Sequence, residues 1–208
     1  MWNFIIKGGP VLIPIILGSI VGLAIILEKL WFLGQIRMDS SVFVQEIFKN
    51  LKTNKIQQAL LLCERNIHYP VATLFKIAIE RRNAPPERLE KILEQAGNNQ
   101  MQRLEKRLGA LASIISIEPL MGFLGTITGL ISAFMTWEQA GANITVNALA
   151  QGIYQAMITT AAGLSIAIPY YLFYNYFISR IKHISNEMTN HSVQLIEVIS
   201  EIKEVAKI

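Results

Sequence analysis

The chain has a single cysteine, Cys63, so no disulfide can form within it. It sits in L-L-L-C-E, an apolar helical context, and reads as a small buried residue of a reducing compartment. Charge is scarce as well. Only 16% of the 208 residues are Asp, Glu, Lys or Arg, against roughly 25% in an average soluble domain. With 52% apolar residues, that shortage points to a membrane protein with a modest water-exposed part. The three histidines, His68, His183 and His191, have no paired spacing suited to a metal. The net charge of +4 comes with no nucleic-acid motif, and its basic residues flank apolar stretches instead. These absences argue against a soluble enzyme and a nucleic-acid binder. No metal or cofactor is expected.

What the chain does have is three apolar runs near the roughly 20 residues a membrane helix needs. The first covers residues 10–27, where Ser19 is the one polar side chain, with Trp31 and Phe32 placed for an interface. No small-residue cleavage site follows it, so it reads as a retained span. The second covers about 111–137 and the third about 148–177. The short connection between them implies an antiparallel hairpin. Orientation follows from the cations. Thirteen of the 19 Lys and Arg fall in residues 35–107, four more follow residue 178, and Lys29 ends the first span. Lys7 alone lies on the other side, and the 138–147 loop has none. The positive-inside rule places the N-terminus outside and the C-terminus inside.

The fold class expected is an all-α membrane protein. It has three transmembrane helices, a long second helix extending into the cytoplasm, and a helical cytoplasmic region. Residues 1–34 form the periplasmic N-terminus and first span. Residues 35–110 form a cytoplasmic helical domain, 111–177 the pore-lining hairpin, and 178–208 a cytoplasmic C-terminal helix. Within 35–110, Asp39-Ser40-Ser41 reads as a cap for a helix carrying Phe43, Ile47 and Leu51. A second helix spans about 55–66. Pro70 opens a third and Pro85-Pro86 a fourth, where proline is tolerated in the first turn. From Glu87 no strong stop precedes Pro119, so one helix of about 50 residues, roughly 75 Å long, is expected to run into the second span.

The spans themselves are small and hydroxylic at their centres. Gly152, Ala156, Thr160, Gly163 and Ala167 share one face of the third, and Gly122, Thr126, Gly129 and Ala133 one face of the second. Gly125 and Thr128, and Thr159 and Ser165, add to the two sets. Such faces suit close helix packing, and Ser or Thr can bond across them or back to their own carbonyls. Paired at similar depth on adjacent spans, they also suggest a path lined by protein or water. No Asp, Glu, Lys, Arg or His lies near the middle of any span. Glu118 comes about two turns into the second from the cytoplasmic side. Proton relay needs titratable groups or ordered water, so the titrating group is expected from another chain. The cleaner first span reads as lipid-facing.

These residues resemble a known family. E-P-L-M-G-F-L-G-T-I-T-G-L over 118–130 is similar to the second-span motif A-P-L-L-G-L-L-G-T-V-x-G-M of the ExbB/TolQ/MotA proton-channel proteins. A-M-I-T-T-A-A-G-L-S-I-A-I-P over 156–169, with F-Y-N at 173–175, resembles their third-span motif E-A-L-x-x-T-A-x-G-L-x-x-A-I-P ending in Y-N. The start, from G-G-P-V-L-I-P at 8–14 to I-L-E-K-L-W at 26–31, resembles their first span. Three spans with a large loop after the first fit the ExbB/TolQ branch.

The resemblance implies a subunit of a bacterial inner-membrane motor that couples proton-motive force to work on a periplasmic or outer-membrane system. It implies a homo-oligomer, a pentamer, around an ExbD/TolR-like single-span partner carrying a membrane Asp, with a TonB/TolA-like protein as recipient. By motif position Thr126 and Thr160 match the pore-facing threonines. Gln155 stands where the family has Glu, and cannot titrate. Glu118 stands where a small residue is common. The proton-pathway candidates are therefore Thr126, Thr160, Gln155 and Thr159, with Gly122, Gly125, Gly129 and Gly163 as packing residues and Glu118 as an acid toward the cytoplasm. Two alternatives stay open: a sodium-driven channel of this architecture, and a non-conducting scaffold.

Overall fold

The computed structural model describes residues 9–36, 40–140 and 146–205. The readings made at Lys7 and Asp39 lie outside these. Among the described residues seven helices follow in order: α1 (Leu12–Gln35), α2 (Ser40–Lys52), α3 (Ile56–Arg65), α4 (Pro70–Glu80), α5 (Pro86–Glu105), α6 (Leu108–Ala140) and α7 (Val146–Val205). No strand occurs among the described residues. The chain divides into two compact units, Met1–Lys29 with Arg107–Tyr176, and Leu30–Lys106 with Phe177–Ile208.

The second unit holds α2 to α5 and the C-terminal part of α7. Its helices start where the prolines stand: Pro70 and Pro86 each occupy the first turn, where the missing N–H has no partner to lose. An aromatic cluster forms its centre. Phe48 stacks on Phe75 with centroids 5.9 Å apart, and Phe43 meets Tyr69 edge-on at 6.3 Å. Phe75 and Ile47 are fully buried, as are Ile184 and Leu195 of α7. Each such side chain contributes about 1.5–3 kcal/mol by leaving water. Polar tethers bind the tail of α7 to the same unit. Tyr69 donates to Glu187 at 3.1 Å, and Lys203 donates to the carbonyl of Ala84 at 2.7 Å. Cys63 is buried here, and desolvation pushes its thiol up to about 12. With almost no thiolate present, a maleimide is expected to leave it unlabelled in the folded protein and to label it promptly in denaturant.

The first unit holds α1 as far as Lys29, α6 and the N-terminal part of α7. Among the described residues, three helices are long and apolar enough to cross a membrane, in agreement with the all-α reading. Pro119 and Pro169 lie inside helices that continue through them, as membrane helices tolerate. Large apolar side chains such as Leu17, Ile20, Phe123, Phe134, Met157 and Leu172 are exposed, a surface suited to lipid.

One expectation is corrected. The helix beginning at Pro86 does not run unbroken into the second span. It stops at Glu105, and α6 starts afresh at Leu108. Arg107 adopts the left-handed backbone, φ +69°, which costs an ordinary residue roughly 1–2 kcal/mol. Its guanidinium pairs with Glu28 of α1, an interaction that offsets part of this cost.

Candidate functional site in the membrane helices

Small residues decide how closely α6 and α7 approach. A Cβ added at Gly129 would lie 2.8 Å from the Gly152 carbonyl oxygen and 2.9 Å from the Ala156 nitrogen. One at Gly122 would lie 3.0 Å from both the Thr159 oxygen and Thr160 Cα, and one at Gly163 only 2.5 Å from the Glu118 carbonyl oxygen. At Gly125 it would run into the Thr159 hydroxyl. The backbones touch, as glycine faces allow. Small faces that would otherwise look onto lipid favour a ring of copies, but here they are already covered within one chain. Covering them does not require a second copy.

Thr126 and Thr160 face each other across this seam. Their hydroxyls are hydrogen-bonded to one another. Thr160 also donates to the Gly122 carbonyl at 2.9 Å, and Thr126 lies 3.3 Å from the carbonyls of both Gly122 and Ala156. The two hydroxyls thus have two O–H groups for more acceptors than they can serve at once. Either can rotate, so the polarity of the chain of bonds can reverse. Both side chains are half-buried.

Thr159 differs. It is fully buried and bonds back to the Ala156 carbonyl at 2.9 Å. Gln155 is half-buried, and its carboxamide lies against Gly9, whose φ of +69° requires glycine. On the exposed side of α6, Thr128 donates to Gly125 and Thr136 to Ser132, each closing on its own backbone.

Glu118 is 3% exposed. One carboxyl oxygen rests where Gly18 of α1 lacks a side chain, and the other, Oε2, has no hydrogen-bond partner among the described residues. Tyr170 packs its ring on Gly22 and donates to the Ser19 carbonyl at 2.6 Å. The first span is therefore not wholly lipid-facing. Ile13, Leu17 and Ile20 are exposed, but Ile15, Gly18, Gly22 and Ile26 form a packed side. Sequence reasoning missed this contribution. The signal was the spacing of Gly18 and Gly22, four apart and so on one face.

Comparison with known proteins agrees with this architecture. Residues 66–190 match the MotA/TolQ/ExbB proton channel family. An ExbB-like biopolymer transport protein of Synechocystis is 31% identical over 172 residues, 82% of this chain and 81% of that one. A second from the same organism is 30% identical over 165 residues, 78% of this chain and 65% of the relative's length. The Tol-Pal system protein TolQ of Haemophilus influenzae is 27% identical over 190 residues, covering 86% and 83%. The chain is a multi-pass membrane protein, and it belongs to the MotA/TolQ/ExbB proton channel family, in its ExbB/TolQ branch.

Proposed function

We propose that the chain is the proton-conducting subunit of an ExbB/TolQ-type motor in the bacterial inner membrane, turning proton-motive force into work on a periplasmic or outer-membrane system. The observation that carries this is the Thr126–Thr160 pair. It joins two membrane helices, can redirect its two O–H groups among several acceptors, and has no carboxyl hydrogen-bonded to it among the described residues. Such a pair can hold a carboxyl group in either protonation state, so a carboxyl from a second chain completes the path. An ExbD/TolR-like single-span partner with a membrane Asp supplies it, inside a closed ring of copies, a pentamer, that drives a TonB/TolA-like protein. The cation distribution supports an outward N-terminus, with residues 35–110 and 178–208 in the cytoplasm.

The test is work output in cells carrying the chain and its partner. A protonophore is expected to abolish it, and replacing Na⁺ by K⁺ to leave it unchanged. Loss on Na⁺ removal would instead mean a sodium-driven channel. Indifference to both would mean a scaffold.

A further inference from the structure

Glu118 does something that neither helix packing nor the threonine pair accounts for. Its side chain is 3% exposed within the membrane unit, and Oε2 finds no donor among the described residues. Burying a polar group without a partner is costly, and burying a bare ion far more so. The fold nevertheless makes room for it. Gly18 of α1 carries no side chain where Oε1 sits, and Gly163 of α7 closes on its backbone carbonyl.

The electrostatic surroundings are sparse. From α7 the titratable group near it is Tyr170, whose hydroxyl is donated to the Ser19 carbonyl. On α1 the first charges are Glu28 and Lys29, ten or more residues beyond Gly18, and α6 has no other charged residue until Glu138. Among the described residues no ion pair to this carboxyl is found. The one inexpensive way to bury it is with a proton attached.

Its position relates it to the hydroxyl pair. Gly122, whose carbonyl accepts from Thr160, is one turn beyond Glu118 on α6, about 6 Å along the axis. Gly163, which touches Glu118, is three residues beyond Thr160 on α7.

We propose that Glu118 is a second proton-binding site on the path, belonging to this chain and lying to the cytoplasmic side of the threonine pair, one turn from Gly122 and two turns from Thr126 along α6. In uptake, a hydronium on the side of the hydroxyl pair gives up a proton: its O–H bond breaks, an O–H bond to a carboxylate oxygen forms, and neutral water is left. In release, that bond breaks and the proton passes to water entering from the Leu108 end of α6. The proton leaves as hydronium, so each step breaks one O–H bond and forms one, and no further reactant is needed. The inference rests on the proton-driven reading above. It adds that this chain carries an acid of its own, although Gln155 cannot titrate.

The full chain in lipid with its partner is titrated from acid to alkaline pH and followed by infrared difference spectroscopy. A carboxyl C=O band is expected to disappear on alkalinisation, and to be missing altogether in Glu118→Gln, which keeps the shape of the side chain. In cells, Glu118→Gln is expected to lose output with its abundance and oligomer unchanged, and Glu118→Asp to retain part of it.

Absence of a band that depends on Glu118 would overturn the proposal. So would full output from Glu118→Gln, which would make the carboxyl a packing group. Protonophore sensitivity of the unaltered protein is read in the same cells. If it persists while Glu118→Gln is fully active, the proton-driven reading stands and the role of Glu118 falls. If it is absent, the broader reading fails first.

Discussion

Thr160→Val is expected to lower proton-driven output about tenfold or more, a barrier increase of about 1.4 kcal/mol. Valine keeps the volume and removes the hydroxyl that donates to Gly122 and meets Thr126. The lost bonds leave no orphan, because the Gly122 carbonyl is still within reach of the Thr126 hydroxyl. Hydrogen bonds between membrane helices average ~0.6 kcal/mol, so abundance and assembly should hardly change while conduction fails. Thr159→Val is the control. Thr159 is fully buried and its hydroxyl is turned to its own helix, so it should keep most of its output. The measurement is work output normalised to assembled protein. Normal output from Thr160→Val would remove the hydroxyl pair from the mechanism. Failure of Thr159→Val alone would place the path on the other face of α7.

Alanine at Gly163 should destabilise the membrane unit by about 1–3 kcal/mol, the usual cost of overpacking. The sign is the point, because helix propensity alone favours alanine over glycine by up to about 1 kcal/mol. At Gly163 the new methyl would lie 2.5 Å from the Glu118 carbonyl oxygen, a backbone atom that cannot turn aside. Gly97, inside α5, meets nothing within 4 Å, so there Gly→Ala should stabilise. Reversible denaturation in mild detergent, run on both variants, compares them directly. Equal stability of Gly163→Ala and the unaltered chain would show that α6 and α7 do not pack as described.

Much of this was readable from residue types. Pro70 and Pro86 mark helix starts because proline acts locally, through its own φ and its missing N–H. The three spans follow from length and hydropathy, and the shared faces of Gly122 and Gly129, or Gly152 and Gly163, from helical spacing. What covers those faces was not readable. A stripe of glycines allows close approach but does not say by which helix, and the answer was the neighbouring span rather than a second copy. The break before α6 was also hidden. Arg107 is neither Gly nor Pro, and its left-handed backbone coincides with a pairing to Glu28, 79 positions away. Contacts of that range leave no local trace. The same holds for Glu118, which position alone places near the edge of a span and three-dimensional packing places against Gly18.

That last fit ties together two positions a hundred residues apart. The hollow at Gly18 is the shape of the group at 118, so neither site is free to drift by itself. A change of Glu118 to alanine would leave a void in the membrane, and any side chain at position 18 would meet the carboxyl. A lineage that exchanged one would come under pressure to exchange the other. Among descendants of a common ancestor, a small residue at 118 should therefore be inherited together with a larger one at 18, and glycine at 18 with an acid at 118.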